Sequence, residues 1–193
     1  LINLIQDKLL DKSVLHMDET PVQVLNEPDK SAQSKSYMWV LTSLQRSAQP
    51  AVLFSYSPSR SGDIPKAQLS GFTGALMVDG YNGYQPVCDE NGLVRLGCWA
   101  HARRKFMDAQ RLQPKGKTGK SDQALSFIQK LYALEKRSKE ATIDERYLMR
   151  QAQGKPILDK LKMWLDKTLL NTPPQSSLGK AVGYLSNQWP RLV

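Results

Sequence analysis

Two hydrophobic rhythms divide this chain. Through its first half, short apolar and β-branched runs alternate with polar turns; from Trp99 onward, apolar residues recur at helical spacing. The first rhythm predicts five strands. Residues 14–25 form the first, in which Pro21 marks an edge or a kink. Residues 37–42 and 51–56 form the second and third, and the short links among the three favour an antiparallel meander. Residues 57–63 carry helix-cap chemistry and predict a short helix over 64–69. A fourth strand over 75–78 ends at Asp79. A turn or short helix follows over 80–85, then a fifth strand over 93–98.

The second rhythm predicts helices over 99–112, 121–140, 143–153, 157–170 and 177–188. Gly154 is expected to break the third of these, with Pro156 in the first turn of the next. Pro190 is expected to end the last. Residues 113–120 are basic and Gly-rich, and read as a flexible linker. The expected division is a strand-rich core over 1–112 and a helical region over 113–193. The fold class is α/β (α+β), a five-stranded mixed sheet flanked by helices. A right-handed crossover through the helix over 64–69 returns strand four parallel to strand one. That puts Asp79 beside Asp18, 79 − 18 = 61 positions earlier.

Composition narrows the partners. Lys plus Arg is 27 against 18 for Asp plus Glu, a net charge of +9, which suggests a polyanion: nucleic acid first, an acidic membrane surface second. With 40% hydrophobic and 23% charged residues the chain can build a core. Two cysteines, Cys88 and Cys98, are too few for a disulfide scaffold and fit a reducing cytosol. No apolar run reaches the length of a membrane span, and residues 1–8 lack a signal peptide's basic start and cleavage site. They read as the end of a helix within a longer protein.

Two places carry chemistry. Asp18 and Asp79 each follow an apolar strand, where an acid costs desolvation unless something compensates it. A divalent cation is one compensator, and paired aspartates suit two Mg²⁺ or Mn²⁺ ions about 4 Å apart on a phosphodiester. Asp79-Gly80 is also an ordinary turn dipeptide. Glu19 points to the opposite face of a regular strand and reads as a surface or supporting residue. The second place is Gly97-Cys98-Trp99-Ala100-His101-Ala102-Arg103-Arg104-Lys105-Phe106. Arg103, Arg104 and Lys105 suit DNA phosphates, or equally a solvated helix face. Cys98 and His101 have two-ligand spacing, but no second pair completes a zinc site. No nucleophile motif surrounds either histidine, and no phosphate-cradling glycine loop is present.

Several segments together resemble the transposases of the IS sixty-six family, bacterial insertion-sequence enzymes with a DDE catalytic core. They are Met17-Asp18-Glu19-Thr20-Pro21-Val22-Gln23-Val24, Tyr56-Ser57-Pro58-Ser59-Arg60-Ser61-Gly62, Val78-Asp79-Gly80-Tyr81-Asn82-Gly83-Tyr84 and the run from Gly97 to Phe106. Later pieces agree in order: Lys130-Leu131-Tyr132, Lys155-Pro156-Ile157 and Asn187-Gln188-Trp189-Pro190. The resemblance implies a ribonuclease H-like fold with a helical insertion after the fifth strand. It implies Mg²⁺-dependent (or Mn²⁺-dependent) DNA strand cleavage and strand transfer, with Asp18 and Asp79 as the first two catalytic, metal-binding acids. The family's third acid, a glutamate on a later helix, matches no position in this chain, so activity of this chain alone is expected to be absent or nearly so. Arg60, His101, Arg103, Arg104 and Lys105 are candidate DNA contacts. The implied setting is the bacterial cytoplasm, with DNA as partner, no membrane, and a homo-oligomer on DNA. Two other readings remain: a non-catalytic basic nucleic-acid module, and another metal-dependent nuclease such as a resolvase.

Overall fold

In the computed structural model, residues 1–44, 49–114, 116 and 118–193 are described. Lys115 and Lys117 of the expected linker lie outside them. The chain divides into two compact units, Leu1–Gly97 and Cys98–Val193. The sequence pattern put the division after residue 112; the helix over 99–111 clusters with the second unit instead.

The first unit is a five-stranded sheet with helices. After helix α1 (Ile2–Leu10) come β1 (Val14–Gln23), β2 (Lys35–Ser43) and β3 (Val52–Ser57), then α2 (Asp63–Gln68), β4 (Ala75–Val78), a 3₁₀ turn (Asn82–Tyr84), α3 (Gln85–Asn91) and β5 (Val94–Gly97). The order across the sheet is β3-β2-β1-β4-β5. β1 to β3 form the expected antiparallel meander, and β4 and β5 run parallel to β1. That mixed sheet, with its crossover, is the ribonuclease H-like arrangement.

Strand alternation decides what faces the core. Leu15 and Met17 of β1, Trp39 and Leu41 of β2, Leu53 of β3, and Leu76 and Val78 of β4 join Phe72, Tyr84 and Val87 in one buried cluster. His16 and Asp18 lie on the other face of β1 and are half-buried. β4 pairs with β1 only over Val14–His16, so the later half of β1 has a partner on one side alone. Pro21 sits in that half, where its missing N–H costs no ladder bond on the open side.

One helix is longer than its sequence signal suggested. The turn expected over 80–85 runs on into α3, opened by Pro86 and closed by Gly92 in the left-handed conformation at φ 64°. Those two residues are the start and stop signals of a short helix.

The second unit is helical: α4 (Trp99–Arg111), α5 (Lys120–Arg137), α6 (Ile143–Met149), α7 (Lys155–Leu170) and α8 (Ser177–Leu192). Its own core joins Ala102, Phe106, Ala124, Ile128, Leu161, Leu165, Val182 and Leu185. Caps fix the helix starts: Thr142 and Glu145 bond reciprocally at α6, and Ser176 Oγ accepts from Gly179 N at 3.0 Å at α8. Two expected breaks are absent. Gly154 does not interrupt the helix; a π turn over Arg150–Gly154 joins α6 to α7. The wider turn absorbs the misfit, and a side chain at Gly154 would come within 3.2 Å of Leu134. Pro190 lies inside α8, which continues to Leu192, whose carbonyl accepts from Trp99 Nε1 at 3.1 Å.

Phe106 is fully buried and packs edge-on against Trp164, 6.0 Å between ring centroids. Phe106→Ala is expected to destabilise the chain by about 3–5 kcal/mol in urea unfolding, the usual cost of emptying an aromatic site in a packed core.

Candidate functional site

β1 and β4 bring the two expected aspartates to one level. Their ladder pairs Val14 with Ala75, Leu15 with Leu76 and His16 with Met77, a constant offset of 75 − 14 = 61. Asp79 and Asp18 differ by the same 61, so continuing the register sets them opposite each other just past the end of β4. Both are half-buried. Asp18 Oδ1 accepts from Glu19 N at 2.9 Å, and Asp79 Oδ1 accepts from Tyr81 N at 2.8 Å. Carboxylate oxygens are hard donors of the kind that suits Mg²⁺ or Mn²⁺. Among the described residues no cluster of three or more His, Cys, Asp or Glu side chains reaches metal-binding range.

Glu19 does not lie at the surface, which was one of the two readings its position allowed. It shares the core-facing side of β1 with Leu15 and Met17, and its side chain is 1% exposed. Arg60 pairs with it, its Nε donating to Glu19 Oε1 at 2.7 Å, and the Tyr84 hydroxyl donates to the other oxygen. The Arg60 guanidinium lies 4.0 Å from the Tyr81 ring centroid, and the Tyr81 hydroxyl donates to the Arg60 carbonyl. Burial pushes the Glu19 carboxyl up, and the bonds from Tyr84 and Arg60 pull the other way without cancelling it. Burial, then the bond to Glu19, drives the Tyr84 phenol far above its ordinary value, so it stays a donor. Arg95 completes the enclosure, donating to the carbonyls of Asp79 at 3.1 Å and Tyr81 at 2.7 Å.

Glu19, Tyr81, Tyr84 and Arg95 were not legible as site residues one by one. A buried acid needs a partner, and the only signal for it was that Glu19 falls on the apolar side of the strand. His16, two positions before Asp18 on the same face, is held below the ordinary imidazole range by burial.

The remaining candidates lie in the second unit on α4. Ala102, Phe106 and Ala109 face its core, which leaves Arg104 and Lys105 exposed. Arg103 Nη1 donates to Met107 Sδ at 3.0 Å, and Lys105 Nζ lies 5.7 Å from the Tyr184 ring centroid. His101 turns toward Cys98 at the start of the helix. Burial pushes the Cys98 thiol up, but hydrogen bonds from the His101 ring and from the N–H groups of His101 and Ala100 outweigh it and bring it below its ordinary value.

The first unit is a ribonuclease H-like domain with Asp18 inside its first strand and Asp79 just past its fourth. The family model described as Transposase IS66 family matches residues 1–193, and the chain belongs to that family. Curated relatives include two uncharacterised proteins of Sinorhizobium fredii. One, y4jD, is 33% identical over 153 residues, covering 75% of this chain and 29% of the relative. The other, y4hP, is 26% identical over 204 residues, covering 98% of this chain and 37% of the relative. The chain therefore spans roughly a third of the length of these relatives. Among solved structures, the Drosophila P element transposase strand transfer complex matches with a TM-score of 0.44 at 13% identity, over 97% of this chain and 69% of that one. No helix among the described residues is long and apolar enough to cross a membrane.

The cysteines offer a pH test. A thiol held low is a thiolate at lower pH, so Cys98 should alkylate with iodoacetamide at a pH where an ordinary cysteine is slow, while buried Cys88 stays protected. His101→Ala should move the Cys98 midpoint upward, read by mass spectrometry across a pH series.

Proposed function

We propose that this chain supplies two catalytic carboxylates and part of the DNA-binding surface of a DDE transposase that cleaves and joins DNA strands. The observation that supports the reading is the β1–β4 ladder offset of 75 − 14 = 61, which equals the separation of Asp79 from Asp18. Asp18 and Asp79 would hold Mg²⁺ or Mn²⁺. Bound there, the cation would polarise the phosphodiester and neutralise charge that develops during in-line displacement. The chain's own part is to present two carboxylates at a fixed level and to keep the Glu19 side chain away from the cation, on the core side of β1.

Arg104 and Lys105 are placed to meet phosphates from an exposed helix face, consistent with the net charge of +9. Arg103 and His101 stand behind them, half-buried, as weaker candidates for the same surface. A homo-oligomer on DNA belongs to this proposal, because joining two element ends requires both to be held at once.

With two acids in reach of the site and no third among the described residues, this chain alone should not nick DNA in Mg²⁺. In the full-length parent, Asp18→Ala and Asp79→Ala should each abolish strand transfer while leaving DNA binding in place. Asp18-dependent cleavage without joining would point to a resolvase-type nuclease instead. Robust Mg²⁺-dependent nicking by this chain, lost in Asp18→Ala, would overturn the two-acid account.

The DNA surface has a separate check. Arg104→Ala and Lys105→Ala should each lower the slope of log affinity against log salt by about 1, similarly on unrelated DNA sequences. Fluorescence anisotropy across a salt series measures it, and an unchanged slope removes that residue from the interface.

A further inference from the structure

The backbone pairing that joins β1 to β4 does not reach the two aspartates. The β1–β4 ladder ends at His16 and Met77, two positions short of Asp18 and Asp79. Two carboxylates brought close together repel each other, and although Asp18 pairs with Val40 of β2, no β1–β4 ladder bond joins its level to Asp79. Side chains that bridge the two levels therefore bear on their spacing.

The first unit contains a circuit that does this. Glu19 directly follows Asp18 and holds Arg60. Arg60 stacks on Tyr81, and Tyr81 N bonds Asp79 Oδ1 at 2.8 Å. Tyr84 closes the circuit from the same turn onto the second oxygen of Glu19. Beside it the backbones of Gly62 and Gly83 meet so closely that a side-chain carbon at Gly62 would lie 2.8 Å from the Gly83 carbonyl oxygen. Three segments far apart in sequence are thereby clamped around one buried carboxylate. The Arg60 charge also lies within electrostatic reach of Asp79.

We propose that Glu19 and Arg60 are positioning residues that set the spacing of Asp18 and Asp79, and so the affinity of that pair for a divalent cation, without touching the cation. The proposal rests on the reading of Asp18 and Asp79 as cation ligands. It gives Arg60 a task other than DNA contact, since its guanidinium is committed to Glu19 and Tyr81. The planar fork is needed because it faces a carboxylate and a ring at once, which an ammonium does not reproduce.

The test is Mn²⁺ binding to this chain, with free Mn²⁺ followed by electron paramagnetic resonance. It compares the wild type, Asp18→Asn, Glu19→Gln, Arg60→Lys and the Glu19→Gln/Arg60→Lys double variant, each at a temperature where circular dichroism shows it folded. Asp18→Asn should lose binding. Glu19→Gln and Arg60→Lys should each weaken it about tenfold or more, the usual effect of removing the groups that orient metal ligands. The double variant should be no weaker than the worse single one, because both break the same circuit. A merely structural role would lower the melting temperature and leave Mn²⁺ affinity unchanged; that result in the folded variants overturns the positioning role alone. Wild-type binding that does not depend on Asp18 overturns the ligand reading and the positioning role with it.

Discussion

The parallel pairing of β4 with β1 is the constraint on which the site depends. It is a short ladder, three residue pairs long, yet its offset brings Asp79 level with Asp18. Beyond the end of that ladder, β2 holds the strand of Asp18 and side chains hold the turn of Asp79. The core face of the sheet supplies Trp39 and Tyr84 in edge-to-face contact, 6.1 Å between centroids, which seats the turn after β4 against β2, the neighbour of the strand that carries Asp18. Arg95 from β5 ties the same turn down through the carbonyls of Asp79 and Tyr81.

The buried Glu19–Arg60 pair is a costly element to keep. A carboxylate removed from water loses its solvation, and an ion pair recovers that loss only when geometry and further hydrogen bonds are good. Here Glu19 has Arg60 on one oxygen and Tyr84 on the other, and the guanidinium also stacks on Tyr81. Such an arrangement makes sense as a device for fixing geometry rather than for stability, since packed apolar residues would stabilise the fold as well.

Much of this was legible in the sequence. Alternation gave the strands nearly to the residue, and the crossover rule gave the parallel return that aligns the aspartates. What was not legible has a common physical cause: it depends on contacts between distant segments. Glu19 read as either a surface or a supporting acid, because sequence alone does not show that Arg60, 41 positions later, folds back onto it. Gly154 looked like a helix break because a π turn is a tertiary accommodation without a residue signature. Pro190 looked like a stop, but near the end of a helix it forfeits little of the hydrogen-bond ladder, and Trp99 holds the last carbonyl.

The central claim is that Asp18 and Asp79 form one cation site. A crystal structure of this chain soaked in Mn²⁺, with anomalous scattering used to place the ion, tests it most directly. The account predicts an anomalous peak coordinated by a carboxylate oxygen from each aspartate, with Glu19 still on Arg60. Carboxylates too far apart to share an ion, or a peak bound elsewhere with this pair empty, would contradict it.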